Sequence, residues 1–279
     1  MSVGALQASA PSDCAADAVQ RSRASSPTPF DLTGRVALVT GASRGLGAAI
    51  SLALAQAGAD VILWARDETR LRRQAETLRN VGRHVLVQTV DVTQERSVRR
   101  ALQAAVRQFD RIDILFNNAG IWEGDEALKL TRRQWDAVIA TDLTSVFFVS
   151  QSVAPVMIRQ RYGKIINVAS TAGLLAIPHG AAYGTIKAGL MHLTRILAVE
   201  WGPYGLRVTG IAPGVFRTDM TRGMFLDRAW SRVRQAKIPL RRFGEPEDLG
   251  GLAVFLASSA SDHITGQTVI IDGGASLTV

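Results

Sequence analysis

The chain holds almost no cysteine: one residue, Cys14, in 279. It lies in an Ala/Ser/Pro-rich opening with no second thiol to meet, which excludes a disulfide scaffold and a thiolate metal cluster. A reducing compartment, and so a cytoplasmic location, is expected. Histidine is nearly as scarce. His84, His179, His192 and His263 stand apart without ligand spacing, so no metal site is expected. Long apolar runs are missing as well: the most apolar stretch, residues 48–65, is broken by Gln56, Gly58 and Asp60, and no transmembrane helix is expected. Residues 1–30 show no basic segment followed by an apolar run, and their Asp13, Asp17 and Pro27-Thr28-Pro29 read as a disordered N-terminal tail, with an organelle transit peptide as the alternative.

What is present is enough apolar material for a core, 47% of residues, under a net charge of +8. From Arg35 onward, short runs rich in β-branched residues alternate with ten or more residues at helical spacing. The strand-like runs are Val36–Thr40, Val61–Trp64, Val85–Val90, Ile112–Asn117, Lys164–Ala169, Leu206–Ile211 and Gln267–Ile271. Helices are predicted at Leu46–Gly58, Asp67–Val81, Gln94–Phe109, Arg132–Arg161, Ala182–Trp201 and Pro246–Ala257. No linker separates two cores and no fixed-period repeat is visible. The expected fold is therefore α/β: a single-domain, Rossmann-like, doubly wound parallel sheet of seven strands, with helices on both faces, spanning residues 31–279.

The first strand runs into Thr40-Gly41-Ala42-Ser43-Arg44-Gly45-Leu46-Gly47 and then into an apolar helix. That arrangement suits a dinucleotide: Gly41 lets the chain turn, Gly45 lets backbone approach a pyrophosphate, Gly47 lets the helix pack closely, and the helix N-terminus attracts the anion. After the second strand the chain reads Trp64-Ala65-Arg66-Asp67. An acidic residue at the strand end would bind a ribose 2′-hydroxyl and repel a 2′-phosphate. None stands there, and Arg66 with Arg44 offers two cations to a phosphomonoester, so NADP(H) is expected in preference to NAD(H). The alternative has both arginines as solvated surface charges and Asp67 on the ribose.

Tyr183 and Lys187 are four residues apart in Tyr183-Gly184-Thr185-Ile186-Lys187, which stacks a phenol and an ammonium on one helical face. An unperturbed phenol keeps its proton well above neutrality. Exchanging it near pH 7 takes ~4 kcal/mol of help, which a neighbouring cation supplies.

These features, with Asp91 after the third strand, Asn117-Asn118-Ala119-Gly120 after the fourth, Ser170 thirteen residues before Tyr183, and Pro213-Gly214-Val215-Phe216-Arg217-Thr218 after the sixth, identify the chain as resembling the short-chain dehydrogenase/reductase family of the Y-x-x-x-K type over residues 31–279. The resemblance implies catalysis by Ser170, Tyr183 and Lys187. It implies a cofactor held by the turn residues Gly41, Ser43, Arg44, Gly45, Leu46 and Gly47, by Asp91 and Val92 near the adenine, and by Asn118, Ala119 and Gly120 near the adenosine ribose. Lys187 with Tyr183 would meet the nicotinamide ribose, Pro213 and Gly214 the cofactor, and Val215, Phe216 and Thr218 its amide end. The implied reaction interconverts a ketone and a secondary alcohol by hydride transfer, with Tyr183 as acid or base and Ser170 bonding the reacting oxygen.

By spacing, the family's fourth catalytic position, an asparagine that helps hold a relay water, falls on Asp142. A carboxylate there would strengthen the pairing with Lys187 and shift the coupled titration. Trp122 and His179 are expected to border the substrate pocket. Residues 219–242 carry seven basic against two acidic residues and correspond to the family's substrate lid. A basic lid steers anionic substrates, while Met220, Met224, Phe225 and Trp230 suit a hydrophobic ketone. The pattern resembles 3-oxoacyl-[acyl-carrier-protein] reductases and gluconate-type keto-sugar-acid dehydrogenases, with cyclic ketones, steroids and a catalytically weak NADP-sensing role as alternatives. Nucleic-acid binding is not expected, because the positive charge is dispersed and no recognition motif accompanies it. A small-molecule carbonyl or alcohol substrate, anionic or carrier-bound, is the expected partner, and the resemblance implies a homo-oligomer, a tetramer.

Overall fold

Strands buried on both faces read as continuous apolar runs, and Val36 to Thr40 is one: every residue of it is buried. In the computed structural model, which describes residues 28–278, that run is β1, an inner strand of a seven-stranded sheet. Most of the expected tail, and Cys14 with it, lies outside the described residues. The other strands are β2 (Asp60–Ala65), β3 (Val85–Thr89), β4 (Ile114–Asn117), β5 (Gly163–Val168), β6 (Leu206–Pro213) and β7 (Thr268–Ile271). All pairs are parallel, in the order β3-β2-β1-β4-β5-β6-β7. The order reverses between β1 and β4, and open sheets of this kind present a crevice at such a switch point, beyond the carboxyl ends of the strands.

Strand side chains alternate between faces, so Ala37 and Val39 enter one core layer while Val36 and Leu38 enter the other. Helices α1 (Gly45–Gln56) and α2 (Glu68–Arg79) cover the first layer with Ile50, Leu54, Leu71 and Leu78. Helix α3 (Glu95–Phe109) covers the second with Val98 and Ala105.

The expected helix at 132–161 divides into α4 (Arg132–Ile139), a π-turn (Ala140–Thr144) and α5 (Ser145–Gln160). Its wider turn carries Asp142 into the interior. Apolar periodicity cannot reveal such a bulge, because the residues on either side still repeat at helical spacing. The whole run of 29 residues is long and apolar enough to cross a membrane by those measures alone. Here Val149, Val153 and Met157 of α5 pack beneath the sheet in the second layer, beside Leu197 of α6 (Ala181–Trp201). The lid segment holds a helix, α7 (Arg228–Ala236), started by Asp227, whose carboxylate accepts from the N–H groups of Ala229 and Trp230 at 2.9 Å each. The last expected helix opens as a 3₁₀ turn at Pro246 and becomes α8 (Gly250–Ala257).

Asp113 pins the start of β4 to the start of β1. Its wholly buried carboxylate accepts from the Val36 N–H at 3.0 Å, from Arg35 Nη1 at 2.9 Å, and from Arg111 Nε and Nη2 at 2.8 and 2.6 Å. Asp113→Ala strands a buried N–H while the part-exposed guanidinium groups of Arg35 and Arg111 turn to water, and should cost about 1–3 kcal/mol. Urea unfolding checks this, and a loss below about 1 kcal/mol would show that the chain relaxes around the site.

Candidate active site

The glycine turn is tied down by the loop that follows β4. Thr40 Oγ1 accepts from the N–H groups of Asn118 and Ala119 at 3.0 Å each, and Asn118 Nδ2 donates to the carbonyls of Thr40 and Gly41 at 3.0 and 3.2 Å. The contact is close enough to demand glycine: a Cβ on Gly41, where φ is 65°, would stand 2.9 Å from Ala119 Cα, and one on Gly47 would collide with the Gly41 carbonyl and the Asn118 amide. No acidic residue occupies the first turn of α1, and no side chain caps it, so its first N–H groups remain available to an anion.

Above this turn lies a cavity of about 490 Å³. It brings together the expected Gly41, Ser43, Arg44, Gly45, Leu46 and Gly47 from one loop with Arg66, Asp91 and Val92 from the ends of β2 and β3. Asn118, Ala119 and Gly120 follow from β4, and Pro213, Gly214, Val215, Phe216 and Thr218 from β6. Arg217 points the other way, to Glu245 at 3.2 Å. The cradle therefore fits a dinucleotide: it has glycine clearance, free helix N–H groups and cations at one end.

That cationic end is richer than Arg44 and Arg66. Arg70, at the start of α2, also lines the cavity, and it shares the lid residue Asp219 with Arg44, at 2.9 and 3.2 Å respectively. Hydrogen bonding to Arg70, with help from Arg44, holds the Asp219 carboxyl below its ordinary range. Asp67 is occupied as the cap of α2, accepting from the Arg70 N–H at 3.0 Å, and also meets Arg70 Nε at 3.3 Å. Arg70 was missed in the sequence, although its place four residues after Arg66 was a usable signal. Asp219, distant in the chain, offered none.

Tyr183 and Lys187 stand on the first turns of α6, and Ser170 follows β5, where it caps a short turn by accepting from the Ala172 N–H at 3.2 Å. Asp142 reaches them from the π-turn. Lys187 Nζ donates to the Val168 carbonyl at 2.9 Å and lies 3.1 Å from Asp142 Oδ2, while Asp142 Oδ1 accepts from the Ile121 N–H at 2.9 Å. Both side chains of the pair are buried. Oδ2 has no hydrogen bond of good geometry, so its contact with Lys187 is an ion pair. A Cβ on Gly120 would stand 2.7 Å from Oδ2, which makes that glycine a space requirement of the aspartate.

Burial works against the Lys187 ammonium, but Asp142 and Tyr183 outweigh it and hold Lys187 above its ordinary range. Burial pushes the Tyr183 phenol up; Lys187 and the Ser170 hydroxyl pull it down, and the Asp142 carboxylate adds to the upward push. The Asp142 carboxyl is itself pushed up by burial, against the pull of Lys187 and the Ile121 N–H.

Trp122 lines the cavity and sets its ring edge-on to Tyr183, 5.0 Å between centroids. His179 does not border it. It sits exposed at φ 60° in the loop before α6, where the backbone turn carries its side chain outward and leaves Ile177 on the cavity wall. Met220, Met224 and Arg234 of the lid segment face the same space, and Arg234 was not singled out from the other basic residues of that segment.

A glycine cradle at the switch point of a parallel sheet, opening onto a Tyr-Lys pair, defines a dinucleotide-binding oxidoreductase. Comparison with known proteins narrows the class. Residues 41–276 match the family model described as enoyl-(acyl carrier protein) reductase. The chain is 38% identical to gluconate 5-dehydrogenase of Gluconobacter oxydans (strain 621H) over 255 residues, 91% of this chain and 100% of that one. It is 39% identical to a 3-oxoacyl-[acyl-carrier-protein] reductase of Synechocystis over 246 residues, 87% of this chain and 97% of the other. A crystal structure of gluconate 5-dehydrogenase from Burkholderia cenocepacia J2315, in complex with NADP and tartrate, has a TM-score of 0.87 at 37% identity, covering 91% of this chain and 99% of that one. The chain belongs to the short-chain dehydrogenase/reductase family, and it is an oxidoreductase acting on alcohol and ketone groups.

Asp142→Asn keeps an acceptor for the Ile121 N–H and removes the charge. Without that carboxylate the Tyr183 phenolate is less opposed, so the apparent pKa of the coupled Tyr183–Lys187 group should fall. Turnover should stay within about tenfold, ~1.4 kcal/mol of barrier. A pH profile of the rate at saturating cofactor reads both; an upward displacement of the profile would contradict the electrostatic account.

Proposed function

We propose that this chain is an NADP(H)-dependent oxidoreductase that interconverts a ketone and a secondary alcohol, with Tyr183 exchanging the proton. The observation that carries the reading is the half-buried Tyr183, backed by the buried Lys187–Asp142 pair, opening onto the same cavity as three arginines at its far end. When bound, the nicotinamide donates or accepts the hydride. Ser170 would donate a hydrogen bond to the substrate oxygen, where charge develops, and Tyr183 Oη would give that oxygen its proton or take it back. Lys187, fixed between the Val168 carbonyl and Asp142, keeps its ammonium beside the phenol and favours the phenolate. Gly41 to Gly47 and the start of α1 would receive the pyrophosphate. Arg44, Arg66 and Arg70 would hold a 2′-phosphate, a group NAD(H) lacks, and Asp219 would give up its place to it. Neighbouring solved gluconate dehydrogenases carry NADP, in agreement with this choice.

The substrate reading starts from 3-oxoacyl thioesters. A second reading, a keto-sugar acid, is favoured by Arg234, which faces the cavity and makes no side-chain ion pair or hydrogen bond among the described residues. An unpaired guanidinium on a pocket wall recruits a carboxylate or phosphate. We place the activity in one domain from residue 31 onward, working in a reducing, cytoplasmic setting. Phe148 of α5 and Ile196 and Val199 of α6 are exposed, and they support a homo-oligomer joined through those helices.

A panel of β-ketoacyl thioesters, keto-sugar acids, cyclic ketones and steroids, assayed with NADPH, tests the reaction and ranks the substrates. On the substrate found, Tyr183→Phe should bind NADPH normally and lose at least about a hundredfold in turnover. Retained turnover would remove Tyr183 as the proton donor, and NADPH binding without consumption across the panel would favour a sensor. Arg66→Asp should weaken NADPH and shift preference toward NADH, and an unchanged ratio of kcat/KM for the two cofactors would place Arg66 away from the 2′-phosphate.

A further inference from the structure

Behind the lid, away from the cofactor cavity, lies a second, shallower cavity of about 510 Å³. One face of α7 forms much of its wall: Arg228, Ser231, Arg232 and Gln235, at the i, i+3, i+4 and i+7 positions that stack on a helix. Arg217 and Arg241 complete it, so four guanidinium groups share one recess, and no acidic side chain lines it. Glu245 answers Arg217 at 3.2 Å, and Arg217 also lies over the rings of Phe225 and Phe243, which fixes its orientation. Arg228 and Arg232, like charges one turn apart, have no ion-pair partner among the described residues. Ser231 also belongs to this wall, with its Oγ turned into the protein rather than toward the recess.

Several guanidinium groups lining one recess, with Arg228 and Arg232 unpaired, match a multiply charged oxyanion better than a single carboxylate, which fills only one fork. We propose that Arg217, Arg228, Arg232 and Arg241 form a phosphate-binding site on the outer side of the lid. The site backs onto the cofactor cavity through chain neighbours: Arg217 lies between Phe216 and Thr218, and Phe225 follows Met224, and those three neighbours line that cavity. The phosphate is either free in solution or carried on the remote end of a thioester substrate.

The test titrates inorganic phosphate into the full chain by calorimetry at low ionic strength, with saturating NADP⁺ so that the cationic end of the cofactor cavity is filled. Saturable binding is expected. Arg228→Gln/Arg232→Gln should weaken it at least about tenfold, and Arg228→Lys/Arg232→Lys should restore part of it. Circular dichroism shows whether the variants fold, and the lysine pair retains the charge if the glutamine pair is compromised. Absence of saturable binding beyond a chloride control, or undiminished binding in the folded glutamine variant, overturns the proposal. The two sources separate on KM for acetoacetyl-coenzyme A and for the acetoacetyl thioester of N-acetylcysteamine, which carries no phosphate. A rise for the first alone in the glutamine variant assigns the substrate's own phosphate, whereas lost phosphate binding with both KM values unchanged assigns a free phosphate. The titration needs no turnover, so it stands even where the thioester reading of the substrate fails.

Discussion

The ion pair between Lys187 and Asp142 is the constraint on which the site depends. Two opposite charges out of water survive only when each is held by the other and by further polar groups. Lys187 has the Val168 carbonyl, and Asp142 has the Ile121 N–H. Through those four groups the end of β5, the loop after β4, the π-turn and α6 meet at one point. Two local irregularities follow from it: the π-turn delivers the carboxylate, and Gly120 leaves room for Oδ2. The phenol is then set between opposing influences, with a cation beside it and an anion behind the cation.

Charge is arranged by the same economy elsewhere. At the cationic end of the cavity Asp219 of the lid segment neutralises Arg44 and Arg70. At the root of the sheet Asp113 does for the backbone what Asp142 does for the site: one buried carboxylate takes up an N–H and two arginines, and joins β1 to β4. On the back of the lid no such acid lines the recess: Arg217 meets Glu245, Arg241 donates to the Ala236 carbonyl, and Arg228 and Arg232 have no ion-pair partner among the described residues.

Local signals determined much of this protein. Seven β-branched runs alternating with helical periodicity specify a parallel sheet, because a strand covered on both faces must be apolar throughout and its crossover needs a helix. The glycine spacing after β1 and the Tyr183–Lys187 interval were legible for the same reason: each chemistry is built from residues within one turn or one helix. The π-turn, the outward direction of His179, the partnership of Asp219 with Arg44 and Arg70, and the gathering of Arg217 and Arg241 against α7 belong to the tertiary structure alone. Asp219 lies 175 and 149 positions from its two arginines, and the direction of His179 goes with a single backbone angle. Periodicity reports which face of an element is buried; it is silent on which side chain from elsewhere meets it, and there the packing of the folded chain decides.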